Sequence, residues 1–169
     1  NTPEFVNIQR IQSCDELLKE SLIQAERADW FIGCAAVADY KMKAVAAQKM
    51  KKQTAKHTGL ILELDENPDV IAHVSKQFPQ LLMIGFAAET QNLREYAKTK
   101  MKKKGLDFIV ANDVSLGKAF NQDENAVILF SNTQNKQHNQ AIDIPQQSKL
   151  ELARTLLKTI NTIKESEAL

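Results

Sequence analysis

Glycine is scarce in this chain. The 169 residues hold five, and none of their spacings forms GxGxxG or GxxxxGK, so the usual phosphate-cradling loops are absent. Cysteine is scarcer still: Cys14 and Cys34 make no disulfide framework and no CxxC pair for zinc or redox work. His57, His73 and His138 have no metal-ligand spacing, and no Ser/His/Asp or Cys/His arrangement stands out. No apolar run approaches the ~20 residues that span a bilayer. Nor does a basic-then-apolar leader open the sequence, so the expected compartment is a reducing cytoplasm. Net charge is also nearly missing, at +1, which excludes a uniformly basic coat for nucleic acid but not local patches.

What is present reads as one α/β domain. At 43% hydrophobic and 25% charged, the chain can bury a core. Val6 to Ile11 suits a short extended piece. Ser13 and Glu16 form a capping box that starts a helix running to about Arg27. Trp30 to Val37 is apolar without alternation, as in a parallel strand buried on both faces. Leu60 to Leu64 suits another strand. Asn67-Pro68 reads as an N-cap with proline at the first helical position, in a helix turning Val70, Ile71 and Val74 inward. Leu81 to Ala87 and Asp107 to Ala111 are further strands. Between them a helix capped by Thr90 runs to Lys104, with Gly105 at its left-handed C-terminal position. Ala126–Phe130 and Gln140–Ile144 suit a strand pair around a polar turn. Ser148 and Glu151 cap a last helix with Leu152, Leu156, Ile160 and Ile163 inward. Strands alternating with helices predict a mainly parallel sheet in a layered α/β fold.

In such folds ligands bind beyond the carboxyl ends of the strands. The predicted ends, 35–39, 86–90 and 111–113, each pair small residues with an acid or amide. Small side chains let a ligand reach the backbone, although they also pack helices onto strands. Lysine is concentrated: 41–56 and 98–104 hold eleven of the 22 cationic residues. A polyanion would find several charges together there, while a solvated surface explains a lysine run equally well. The helix start at Asn67-Pro68-Asp69 offers free backbone N–H groups and a positive dipole end. Cys34, inside an apolar run, reads as packing rather than nucleophile.

Five segments in order carry a resemblance. They are Gly33-Cys34-Ala35-Ala36-Val37-Ala38-Asp39-Tyr40, Lys49-Met50-Lys51-Lys52, Asn67-Pro68-Asp69-Val70, Gly85-Phe86-Ala87-Ala88-Glu89-Thr90 and Ala111-Asn112-Asp113-Val114-Ser115. Together they resemble bacterial phosphopantothenate–cysteine ligase, the CoaB half of the bifunctional CoaBC (Dfp) protein of coenzyme A synthesis. The resemblance implies a Rossmann-like three-layer domain, a homodimer and a two-step reaction. The carboxylate of 4′-phosphopantothenate attacks the α-phosphate of CTP, giving an acyl-cytidylate and pyrophosphate. The amine of L-cysteine then displaces CMP, with Mg²⁺ assisting. It further implies that Gly33, Cys34 and Ala35 bring backbone to the nucleotide, that Asp39 is a nucleotide-binding acid, and that Lys49 is a catalytic lysine on a mobile flap spanning 38–59. Pro68, Asp69, Val70, Ile71, Phe86, Lys100 and Lys104 become nucleotide contacts, with Asn112 and Asp113 supporting the pocket.

The same resemblance sets expectations for what lies elsewhere. The family's Gly-rich turn and its Ile-Ser-Asn-x-Ser-Ser-Gly segment, whose asparagine serves acyl-cytidylate formation, do not occur in this sequence. An N-terminally incomplete domain with a depleted sheet is therefore expected, and these residues alone are expected to be inactive. The flavin site and catalytic histidine of the fused decarboxylase are likewise missing, so FMN belongs to that other half. Two other classes compete: a non-catalytic nucleotide- or nucleic-acid-binding module using the lysine clusters, and an FMN-binding decarboxylase, for which no residue here speaks.

Overall fold

The computed structural model describes residues 4–45, 48, 61–89, 92–113, 123–132 and 141–167. Helix α1 (Cys14–Ala25) starts at Ser13, whose hydroxyl accepts the Glu16 N–H at 3.2 Å; the Glu16 carboxylate reaches back to the N–H of Gln12 at 2.7 Å. Strand β1 (Trp30–Gly33), the pair β2 (Tyr40–Met42) and β3 (Leu64–Glu66), helix α2 (Val70–Gln77), strand β4 (Leu82–Glu89), helix α3 (Leu93–Lys104) and strand β5 (Phe108–Asp113) follow. Strands β6 (Glu124–Ser131) and β7 (Ile142–Ser148) precede the long helix α4 (Lys149–Glu167). The main sheet has the order β1-β4-β5-β6-β7; β1, β4 and β5 are mutually parallel, and β6 and β7 are antiparallel additions. This is the expected α/β, Rossmann-like architecture.

Alternation along the strands builds two cores. Met83 and Ala87 of β4, with Ile109 and Ala111 of β5, face a layer containing Ala25, Val74, Ala97 and Met101 from α1, α2 and α3. Ile84, Phe108, Val110, Val127 and Leu129 face the other way, onto Leu152, Leu156, Ile160 and Ile163 of α4. Strand side chains alternate with period two, so both faces of β4 and β5 must be apolar. Gly105 ends α3 in the left-handed region (φ 63°), and its carbonyl accepts the Ser75 hydroxyl at 2.7 Å.

Several local expectations shift. No regular element forms over residues 6–12. Strand β1 stops at Gly33 and lies at the sheet edge, with Ile32 44% exposed, so it is not buried on both faces. Of the expected 60–64 strand, residue 60 lies outside the described residues, 61–63 carry no regular structure, and β3 begins at Leu64, paired antiparallel to β2. The N-cap of α2 is Asp69, not Asn67: the Asp69 carboxylate accepts the Ala72 N–H at 3.3 Å, and Pro68 stays outside the helix. Helix α3 begins after Asn92, which is left-handed (φ 48°) and makes no side-chain cap bond; Thr90 lies outside the described residues. Both late strands are longer than expected, because pairing with β5 and with each other extends them.

Candidate functional site

The three parallel strands end at one edge of the sheet, and a cavity of about 540 Å³ opens there. Its floor is the register pair Gly33 and Gly85 on β1 and β4. These glycines leave room for apolar side chains from neighbouring elements. A Cβ on Gly33 would stand 2.7 Å from Ile71 Cδ1, and one on Gly85 would stand 2.6 Å from Leu106 Cδ1. Residues 34–39, running from β1 to β2, form one wall and are exposed throughout. Cys34 is thus no packing residue, as expected from its apolar run, but part of this wall. Enough protein surrounds its sulfur for desolvation to raise the thiol pKa above its ordinary value.

The opposite wall is the start of α2, where Pro68, Asp69, Val70 and Ile71 line the cavity. The Asp69 cap leaves this helix end facing the space, a favourable place for an anion. Cys14, at the start of α1, ties that turn down by donating its thiol hydrogen to the Pro68 carbonyl at 3.5 Å. Burial pushes the Cys14 thiol pKa up, with the Asp15 charge adding to the effect, so it stays a protonated donor.

Two lysines enter from α3. Lys100 and Lys104, one turn apart, both line the cavity, whereas Lys98, Lys102 and Lys103 are exposed elsewhere on the helix. Lys104 Nζ lies 3.0 Å from Asp69 Oδ2 and donates to Oδ1 at 3.2 Å, which puts a lysine–carboxylate pair beside the start of α2. Phe86, 37% exposed, lines the cavity from within β4, three residues before its end, and Asn112 lines it from β5.

Every expected site residue whose side chain is described therefore lies at one cavity. Lys49 falls outside the described residues, and so does the side chain of Asp113, whose backbone pairs with Glu89 at the end of β5. The first lysine cluster does not behave as a free patch where it is described: Lys41 pairs with Asp15 at 2.6 Å and Lys43 with Glu63 at 3.5 Å. Asn67, Gly85, and Leu17 and Ser21 of α1 also line the cavity, although residue type alone marks Asn67 as a cap and Gly85 as part of a strand. Gly85 alone had a signal, as a lone glycine inside a strand marks close approach of another group.

Among the described residues no three His, Cys, Asp or Glu side chains form a metal cluster, and no helix is long and apolar enough to cross a membrane. The sequence matches the model of the DNA/pantothenate metabolism flavoprotein C-terminal domain family over residues 1–163. It is 43% identical over 162 residues to the coenzyme A biosynthesis bifunctional protein CoaBC of Haemophilus influenzae, covering 94% of this chain and 38% of that protein. The CoaBC protein of Vibrio vulnificus is 38% identical, covering 96% and 39%. A crystal structure of a CoaBC C-terminal domain superposes with a TM-score of 0.76 at 30% identity, covering 98% of this chain and 70% of that one. The chain thus spans less than two fifths of the length of these curated relatives.

Proposed function

This chain belongs to the DNA/pantothenate metabolism flavoprotein C-terminal domain family, and on that footing we propose that it carries the CTP-dependent phosphopantothenate–cysteine ligase site of a CoaBC-type protein. The observation that supports this most directly is the cavity itself. It gathers an anion-favouring helix start, two lysines and an exposed phenylalanine at the carboxyl edge of a parallel sheet, without a P-loop. The α2 N-terminus and Lys100 would hold the triphosphate. Lys104 would turn from its Asp69 partner to a phosphate oxygen. Phe86 offers a face for the base, because aromatic rings stack on nucleobases.

In this reading the carboxylate of 4′-phosphopantothenate attacks the α-phosphorus of CTP and pyrophosphate leaves. The cysteine amine then attacks the acyl carbon, CMP leaves, and the nitrogen loses its proton. Charge develops on phosphate oxygens in both steps, and fixed positive groups in a sheltered site stabilise it. Lys49 would act on the acyl-cytidylate. Mg²⁺ would arrive with the triphosphate, since it commonly binds through substrate phosphates while keeping several waters. A homodimer in the cytoplasm, fused to an FMN-dependent decarboxylase, completes the proposal. The nucleic-acid reading has less support: Lys41 and Lys43 are ion-paired, and Lys100 and Lys104 serve the cavity.

Titration calorimetry tests the nucleotide assignment. The full-length protein should bind CTP better than ATP, and equal affinity for all four nucleoside triphosphates would overturn it. A second assay concerns these 169 residues alone. They contain no Ile-Ser-Asn-x-Ser-Ser-Gly run, and a missing polar group at such a step is typically worth ~10²–10³ in rate. No 4′-phosphopantothenoylcysteine should form until a segment carrying that run is supplied; turnover without it would show the asparagine to be dispensable.

A further inference from the structure

The wall formed by residues 34–39 spans from β1 to β2 outside both strand ladders. It carries no regular structure, its residues are exposed, and β1 beside it is an edge strand. Asn67, the residue after β3 and before the start of α2, contacts it twice. The Asn67 side-chain amide donates from Nδ2 to the Ala38 carbonyl at 2.9 Å, and the Asn67 backbone N–H donates to the Asp39 carbonyl at 2.8 Å. The first bond sets the orientation of the amide, since a carbonyl only accepts. The other end, Oδ1, is consequently left buried without a hydrogen-bond partner among the described residues. A buried unpaired acceptor is unfavourable. The fold tolerates it at Asn67 while Asp69, two residues on, does the capping.

We propose that Asn67 is a positioning residue, a clasp that holds the 34–39 wall, and with it Asp39, in the geometry that receives the nucleotide. Asp39 lies one residue beyond the Ala38 carbonyl that Nδ2 grips, and its own carbonyl is the second point of attachment. These two bonds carry the β2–β3 pairing on into the wall, from Tyr40 and Glu66 to Asp39 and Ala38. Serine, aspartate or alanine at this position would each lose the reach or the donor that spans to Ala38. The functional consequence rests on the nucleotide-binding reading given above; the clasp itself does not.

Two variants in the full-length protein test this. Asn67→Asp replaces the donor by an oxygen facing the Ala38 carbonyl, while Asn67→Ala removes the side-chain bond without adding charge. Hydrogen exchange is the first measurement. The amide of residue 67, which donates to the Asp39 carbonyl, and the hydrogen-bonded amides of the adjoining β2–β3 pair should exchange at least tenfold faster in both variants, while the β4, β5 and α4 amides keep their protection. Unchanged exchange at residue 67 and in β2–β3 would overturn the clasp, whatever the protein binds. Steady-state kinetics with CTP is the second. The KM for CTP should rise about tenfold or more with kcat within about twofold, because a displaced wall weakens nucleotide binding in every molecule. A fall in kcat at unchanged KM would instead mark a loss of folded protein and overturn the positioning role. If the wild-type protein binds no nucleotide, the ligase reading fails, and the exchange measurement still decides the clasp. Should Asn67→Asp fail to fold, Asn67→Ala carries both measurements.

Discussion

The two halves of the main sheet use their strands differently. In the parallel half, β1, β4 and β5 deliver their carboxyl ends to one edge, and every residue lining the cavity comes from these strands, from α1, α2 and α3, or from the turns between them. In the antiparallel half, β6 and β7 run in opposite directions, and their shared face is closed by Leu152, Leu156, Ile160 and Ile163 of α4. Parallel strands gather loops and helix starts on one side, which is where a binding site can be assembled. Antiparallel strands spread their ends over two sides and here serve as packing. Large side chains such as Met83, Phe108 and Ile109 are buried in the first half as well, but only there do small residues and an exposed wall open a cavity at the strand ends.

Substitutions can break this division of labour. The largest effect on stability should come from Ile160→Ala in α4, where a fully buried side chain is removed. A cost of ~2–5 kcal/mol is expected from the lost transfer energy and the cavity left behind. Denaturant unfolding measures it, and CTP affinity of the folded fraction should not change. In the parallel half, Gly85→Ala should cost ~1–3 kcal/mol by overpacking, since the new Cβ meets the buried Leu106 side chain, and it should also weaken nucleotide binding by narrowing the floor. An unaltered CTP affinity in Gly85→Ala would detach the floor from the site.

Lys104→Gln sharpens the comparison from the other side. A lost charge-assisted bond to phosphate is worth ~1.5–3 kcal/mol, or roughly 10–100-fold in affinity. Stability should barely move, because the Asp69 partner is itself partly exposed. Lys103→Gln, on the exposed side of α3, should leave binding nearly intact. If the two variants were equivalent by calorimetry, diffuse charge rather than the cavity would govern binding.

The smallest effect belongs to Lys41. Its hydrogen bond to Asp15 raises its pKa above the ordinary lysine value, with the Asp15 charge adding to the shift. A raised folded-state pKa contributes stability that is fully present below the unfolded value and lost as pH rises through the folded one. Any contribution of the exposed pair should therefore be seen at neutral pH and vanish only in strongly alkaline solution. Wild type and Lys41→Gln should melt within a degree or so of each other in high salt, where exposed pairs are screened.

Much of this arrangement was legible in residue order. The Ser13 and Ser148 caps, the left-handed Gly105, the apolar spacing of α4 and the shared face of Lys100 and Lys104 depend on neighbours within a few positions, which propensity and period describe. Errors arose where distant segments compete for the same atoms. Asn67 and Asp69 are equally good caps by residue type; the Ala38 carbonyl, 29 positions away, takes the Asn67 amide and leaves capping to Asp69. Trp30 to Val37 read as a buried strand, yet only Trp30–Gly33 finds a partner, because the backbone beyond Gly33 turns away to wall the cavity.

Local chemistry in the sequence determined which segments are helix or strand and which residue types this site has to work with. The tertiary structure alone decided that β1 is an edge, that β2 and β3 pair, that Cys34 is exposed, and that Lys104 meets Asp69 across 35 positions. Those outcomes depend on which atoms reach one another once the sheet has formed, and the separation of residues along a chain carries no information about that distance.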